Sequence, residues 1–134
     1  MEIDRELFKS TFDQSAVPPW PCPSCRRGHL LLDKSSLRAV ETVDSRAGHG
    51  DDGWEPWMAE LRFSCLFSCQ RCKDVVAVCG KTEETVIHEA QGDYMATEYR
   101  PLYFYPPLPI FVVPKACPEN MLVSITAAFG AVFN

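Results

Sequence analysis

The chain has 134 residues and a mass of 15.1 kDa, a size typical of one domain built around one hydrophobic core. Hydrophobic residues make up 46% and charged residues 23%, which excludes disordered and fibrous classes. With 13 Lys and Arg against 18 Asp and Glu, the net charge of −5 lacks the broad basic surface of a general nucleic-acid-binding protein. The charged start and the lack of an apolar run of about 18 residues predict no signal peptide and no membrane span, hence a cytoplasmic protein.

The first predicted element is a short amphipathic helix over residues 3 to 13, within an N-terminal helix and linker region of residues 1–17. Its hydrophobic positions recur at helical spacing: Ile3, Leu7, Phe8 and Phe12. The segment Val17-Pro18-Pro19 is predicted to end it.

Seven cysteines follow, an odd number without a secretory signal, which argues against a disulfide framework. Four of them form two CxxC pairs, Cys22–Cys25 and Cys69–Cys72, called here the first and second knuckles. Two residues between cysteines allow a tight turn to aim both sulfurs at one tetrahedral ion. The sequence therefore predicts one structural Zn²⁺ ion held by four thiolates, in preference to a thioredoxin-like redox pair.

Between Cys25 and Cys69 lie 43 residues, more than the ~15–20 that separate the two CxxC pairs of a minimal zinc ribbon. Residues 44–56, rich in Asp and Gly, explain the excess as a loop at the tip of a β-hairpin. Gly28, just after the first knuckle, is predicted to supply a positive φ.

The remaining candidate ligands are weaker. Cys65 is interpreted as a packing residue rather than a substitute ligand, Cys79 as a buried strand residue, and Cys117 as a packing residue at a helix entrance. His29 lies beyond the turn of the first knuckle, which disfavours it as a replacement for a thiolate.

Residues 18–98 are predicted to form a zinc-ribbon β domain, giving an α+β fold class with an antiparallel sheet, a short N-terminal helix and an apolar C-terminal helix. The predicted strands are Leu30–Asp33, Leu37–Val43, Met58–Ser68, Asp74–Lys81 and Thr85–Ala90. Residues 99–117, rich in Pro, Tyr and Phe, are predicted to be an extended connector, with a peptide-like recognition segment as the alternative.

Residues 118–134 are predicted to form the C-terminal helix, which lacks charged residues beyond Glu119. Because a helix this apolar needs a covering surface, we expect it to pack on this domain, on another chain or within a longer helical bundle. The last two, a second copy or protein partner and a longer bundle, are favoured over packing on this domain. The candidate partner-binding residues are Met121, Leu122, Ile125, Phe129, Val132 and Phe133.

The order of these motifs carries a family resemblance. The segments concerned are Pro21-Cys22-Pro23-Ser24-Cys25, Cys69-Gln70-Arg71-Cys72, Tyr105-Pro106-Pro107 and Val113-Pro114, followed by an Ala-containing helix. Residues 18 to 134 resemble an uncharacterised bacterial family, a domain of unknown function found alone or attached to restriction and anti-phage proteins. The resemblance implies a zinc ribbon, a Pro-rich link and a helical bundle extending beyond Asn134. Only the four knuckle cysteines match as functional positions, and the implied context is phage defence and partner binding.

The function favoured by the sequence is a non-catalytic zinc-ribbon module that binds a protein partner or its own copy, with no small-molecule substrate evident. The alternative is a nucleic-acid-binding ribbon, in which the cations around the knuckles contact phosphates. Those cations are Arg26, Arg27, Arg71 and Lys73. Because a four-thiolate Zn²⁺ site adds two formal negative charges, this binding would be weak and salt-sensitive.

An enzyme is the least favoured function. Acidic residues with an imidazole occur at Glu83, Glu84, His88, Glu89 and Asp93, and in the loop at His49, Asp51 and Asp52. They match no nucleophile motif or phosphate-binding loop, and four cysteines leave no open position on the zinc. We therefore expect no enzymatic activity.

Overall fold

The computed structural model describes residues 5–109 and 116–131. They form the expected α+β fold, in which four antiparallel strands lie side by side in chain order. The helices and strands are α1 Arg5–Lys9, β1 Leu30–Glu41, α2 Val43–Ala47, β2 Leu61–Cys69, β3 Val75–Glu89, β4 Gly92–Tyr105 and α3 Glu119–Ala131.

Strand β1 joins the two strands predicted at 30–33 and 37–43 into one, with an irregularity between Asp33 and Arg38. At this irregularity, polar side chains form hydrogen bonds in place of the missing strand pairing. The Asp33 carboxylate accepts hydrogen bonds from Ser35, and the Ser36 hydroxyl accepts one from the backbone N–H of Leu66 at 2.8 Å. The turn-like Asp-Lys-Ser-Ser segment is therefore a bulge within a strand rather than a break between two strands.

The prediction of a connector over residues 99–117 is wrong in its first part, because residues 99–105 belong to β4 and pair with β3 in a hairpin. Strand β3 likewise joins the two strands predicted at 74–81 and 85–90. Pro101 is accommodated where the register shifts beside Gly80, and a Cβ at Gly80 would overlap the carbonyl oxygen of Arg100. A bulge and a glycine on the partner strand thus allow proline in β4, an edge strand of the sheet.

The core lies on one face of the sheet and contains a cluster of packed aromatic rings. Helix α1 is shorter than the predicted 3–13, since Phe12 leaves the helix and exchanges backbone hydrogen bonds of 2.9 and 2.8 Å with Tyr99. Its ring then packs edge-on against Phe63 and Phe67, with centroids 5.5 and 5.3 Å apart. Trp20 is fully buried, and its Nε1–H donates to the Leu7 carbonyl. Ile3 lies outside the described residues.

The connection between β1 and β2 is the predicted hairpin tip, but it contains α2 and two short 3₁₀ turns, Gly48–Gly50 and Pro56–Met58. Thr42 caps α2 by accepting a hydrogen bond from Ser45 N–H.

Helix α3 begins after Pro118, as predicted. Phe129 is 3% exposed, and Gly130 lies next to Pro107, which brings the end of the helix against the chain following β4. Val132 and Phe133 lie outside the described residues. No helix within 5–109 and 116–131 combines the length and hydrophobicity that crossing a bilayer requires.

Candidate metal centre

The first knuckle lies in a narrow hairpin that leads into β1. Cys22 N–H donates to the Gly28 carbonyl at 2.9 Å and Leu30 N–H to the Trp20 carbonyl at 3.0 Å, so the chain returns beside itself. The burial of Trp20 anchors one side of this hairpin in the core.

The second knuckle lies in the turn between β2 and β3 and repeats the same geometry. Cys69 N–H donates to the Asp74 carbonyl, and Lys73 N–H returns to the Cys69 carbonyl at 3.1 Å, as Arg26 N–H does to the Cys22 carbonyl at 2.9 Å. Arg26 and Lys73 each follow the second cysteine of a knuckle, and they have positive φ values of 59° and 66°. The equivalent residue of each knuckle thus has a left-handed backbone conformation.

The prediction that Gly28 supplies a positive φ is wrong, since Arg26 does so instead. Gly28 is required for a different reason: a Cβ there would overlap Cys69 Sγ and lie 2.9 Å from the Cβ of Arg71. The absence of a side chain at Gly28 allows the first knuckle to approach the second.

Several contacts hold the two knuckles together. Gln70 N–H donates to the His29 carbonyl at 3.0 Å, the Ser24 hydroxyl donates to the Asp74 carboxylate, and Leu30 pairs with Cys69 in the β1–β2 ladder. The β-sheet therefore determines how the two CxxC turns face each other.

The four predicted ligands converge, and their sulfur atoms all lie within 4.8 Å of one another. Cys22 Sγ is 3.6 Å from Cys72 Sγ, and Cys25 Sγ is 3.6 Å from Cys69 Sγ, far longer than the ~2.05 Å of a disulfide bond. Cys22 and Cys69 are buried in the hydrophobic core, whereas Cys72 is exposed. Four thiols in this arrangement can hold a metal ion at the border of the core.

Backbone amides of both knuckles donate hydrogen bonds to the sulfurs. Ser24 N–H donates to Cys22 Sγ and Arg71 N–H to Cys69 Sγ, both at 3.3 Å. Hydrogen bonds from the backbone N–H groups of Arg27 and Gly28 lower the pKa of the Cys25 thiol to about 6. Burial opposes ionisation of Cys69, but the N–H groups of Cys72 and Arg71 outweigh it and keep its pKa below the ordinary value. The turns thus favour the thiolate, the form of cysteine that binds metal, at Cys25 and Cys69. At Cys72 a backbone hydrogen bond from Asp74 lowers the pKa of the thiol, but burial and the neighbouring cysteines outweigh it and raise that pKa to about 12.

The other candidate ligands lie outside this cluster. Cys65 is buried, as predicted, and burial raises the pKa of its thiol to about 12. Cys79 is in β3 as predicted, but the prediction that it is buried is wrong, because it points to the exposed face of the sheet. Cys117 is half-buried just before α3, and His29 is exposed.

The four knuckle cations are exposed around the metal centre. The Lys73 ammonium donates to the Gln70 carbonyl at 2.9 Å within its own turn. The two loop and hairpin histidines pair with carboxylates, His49 with Glu41 at 2.5 Å and His88 with Asp93 at 2.8 Å.

On α3, the candidate partner-binding residues differ in accessibility. Met121 is 54% exposed, Leu122 and Ile125 are half-buried, and Phe129 is buried within the chain. Val123, which sequence reasoning did not single out, is exposed.

Two features of this region were missed from the sequence. The left-handed Arg26 and Lys73 have no compositional signal, because glycine or asparagine is the usual residue there. Tyr103 and Tyr105 were assigned to a connector, although their alternation with Phe104 is the period of a strand.

Comparison with known proteins gives one match. No curated protein and no solved structure shows significant similarity to the chain. A family model, described as a domain of unknown function (DUF8608), matches residues 10–107, which include both knuckles and all four strands but not α3. Because this match covers well over half of the sequence, the chain belongs to the DUF8608 family.

Proposed function

We propose that Cys22, Cys25, Cys69 and Cys72 bind a structural Zn²⁺ ion and that the chain is a non-catalytic zinc-ribbon module for protein–protein interaction or self-association. The observation that carries the zinc site is the sulfur geometry. Tetrahedral zinc with Zn–S bonds of ~2.3 Å requires sulfurs ~3.8 Å apart, close to the two distances of 3.6 Å.

Zinc suits this site better than other common ions. Soft thiolate ligands favour Zn²⁺ over the hard cations Mg²⁺ and Ca²⁺. Four protein ligands fill a tetrahedral ion, so no position is left for a catalytic water. A structural role follows from this ligand set, and we propose on the same ground that the chain is not an enzyme.

The metal stabilises the sheet by joining distant parts of the chain. Cys69 ends β2, while Cys22 lies before β1, so the ion ties the first hairpin to the β2–β3 turn. Because such a site does not exist in the unfolded chain, the free energy of metal binding contributes directly to folding.

The proposed interaction surface lies on α3. Met121 is exposed, and Leu122 and Ile125, on the same side of the helix, are partly so, whereas the exposed Val123 lies on another side. An apolar surface of this kind is stabilised when a partner or a second copy removes it from water. In line with the resemblance drawn from the motifs, we place this module in the cytoplasm in bacterial anti-phage defence.

Nucleic-acid binding through the knuckles is the alternative. Its support is the exposure of all four cations, Arg26, Arg27, Arg71 and Lys73, around one centre. The negative charge of a four-thiolate zinc site lowers the affinity that these cations can give.

Native mass spectrometry with and without chelator tests the proposal. We expect one zinc per chain, together with dimers or a complex with a partner supplied from the source cells. Met121→Glu should weaken the association while zinc stays bound, whereas Val123→Glu, at an exposed position on another side of the same helix, should not. A zinc-free folded chain would refute the metal site, and association indifferent to Met121→Glu would refute the interaction surface.

A further inference from the structure

The outward face of the sheet, opposite the core, carries two exposed tyrosines. Tyr103 is 53% and Tyr105 75% exposed, on either side of the buried Phe104. Side chains two residues apart on a strand are about 7 Å apart. This is about twice the ~3.4 Å rise between stacked bases, which is the spacing of two rings that stack on either side of one base.

A groove of about 350 Å³ lies beside these rings. In the strand register, Tyr103 lies opposite Cys79 and Tyr105 opposite Ala77. The next strand completes the floor with Ser64 and Leu66. The groove is therefore shallow and largely apolar, with a hydroxyl at its edge.

A row of cations borders the groove across three strands. Arg62 pairs with Lys81, and Lys81 pairs with Arg100, so their side chains share the outward face of β2, β3 and β4. Lys81 is two residues from Cys79, which places the row about 7 Å from the Tyr103 position. Arg38, on β1 opposite Ser64, adds a fourth cation on the same face.

Acidic residues neutralise only part of this row. Glu83 engages Arg100 through both carboxylate oxygens, at 2.5 and 3.1 Å. Neither Arg62 nor Lys81 forms a salt bridge with any residue in the described ranges. Glu83 also attracts the Lys81 ammonium without a salt-bridge contact, so the charge of Lys81 is compensated in part.

We propose that this face binds single-stranded nucleic acid, with bases stacked on Tyr103 and Tyr105 and phosphates at Arg62 and Lys81. Stacking platforms flanked by cations bind single strands with little sequence preference. Duplex nucleic acid cannot bind in this way, because its bases are stacked on one another and are not free to stack on the tyrosine rings. Charge complementarity selects a polyanion over an apolar partner. This site is independent of α3 and of the cations around the knuckles.

Fluorescence anisotropy on the zinc-loaded full chain tests it, with labelled single strands of about twelve thymidine or uridine nucleotides, a length within the usual site sizes. Tyr103→Ala and Tyr105→Ala should each weaken binding about five- to a hundredfold. Tyr105→Phe should retain binding, because the ring remains. Tyr94→Ala, an exposed tyrosine in the far part of β4, is the matched control and should have no effect.

The cations are tested by salt dependence. Arg62→Gln and Lys81→Gln should each reduce the slope of log affinity against log salt by about 0.7. Thermal unfolding and zinc content of every variant check that the fold is retained. Comparing the two strands separates DNA from RNA as the source of the ligand.

Three results would overturn the proposal. One is the absence of binding to both strands at low ionic strength. Another is binding that depends on Arg26, Arg27, Arg71 and Lys73 and not on the tyrosines. The third is a chain that binds neither strand but forms dimers that Tyr105→Ala dissociates, which would make the face an interface between copies.

Discussion

The two faces of β2 differ in what covers them. On the inward face, Phe63, Phe67 and Cys69 are buried under Phe12, Trp20 and the first knuckle. On the outward face, Ser64 and Leu66 remain exposed. The inward face thus holds the fold together through aromatic packing and brings the cysteines of the two knuckles together, whereas the outward face carries exposed side chains. Substitutions on the two faces should therefore separate stability from recognition.

The largest expected effect comes from the metal ligand at the end of the inward face. Cys69→Ser should abolish zinc binding and unfold the chain, since structural zinc supplies on the order of 10 kcal/mol, comparable with the whole stability of a domain. Zinc content and circular dichroism measure it. Cys79→Ser, which alters an exposed cysteine of the same sheet, is the control and should keep both zinc and fold.

Trp20→Ala should be the next largest change. Removing this fully buried ring leaves a cavity beside Phe67 and Phe104, and we expect a loss of about 3–5 kcal/mol in the free energy of unfolding. Chemical denaturation measures it. Trp57→Ala, at an exposed position in the β1–β2 connection, should change stability by less than ~0.5 kcal/mol. Equal losses in both variants would contradict the assignment of Trp20 to the core.

Gly28→Ala should act on the contact between the knuckles. The added Cβ would overlap Cys69 Sγ, so we expect a loss of about 1–3 kcal/mol and a lower affinity for zinc. A competition titration with a chelator measures the affinity. Gly50→Ala is the control, because nothing lies within 4 Å of its added Cβ. Unchanged zinc affinity in Gly28→Ala would show that the knuckles need not approach so closely.

The smallest effect is expected on the outward face, at the partly exposed Glu83–Arg100 pair. Hydrogen bonds from Arg100 lower the pKa of Glu83 against the opposing effect of partial burial. A folded-state pKa below the unfolded value means that the pair stabilises the fold above pH ~4.5 and loses this effect as the pH falls. Glu83→Gln should cost less than ~1 kcal/mol at neutral pH, after allowing for solvent screening.

Denaturation of wild type and Glu83→Gln across pH measures this difference. The two curves should converge in acid, because the wild-type carboxyl is then protonated. A difference that grew on acidification would contradict the assigned sign.

The sequence by itself determined the fold class and which four of the seven cysteines come together. Each CxxC spacing is a local property of four residues, so both knuckles could be recognised without knowing the sheet. In the same way, the helical spacing of the hydrophobic residues after Pro118 was sufficient to predict α3.

Only the tertiary structure decided the features that depend on distant partners. Tyr99 to Tyr105 became a strand because β3 supplies hydrogen bonds and Gly80 gives room beside Pro101. Phe12 left its helix because pairing with Tyr99 buries its ring. Cys79 faces outward because the register with β2 determines its face, and Gly28 is needed because the second knuckle lies against it. In each case, free energy gained from residues far along the chain outweighs the local preference.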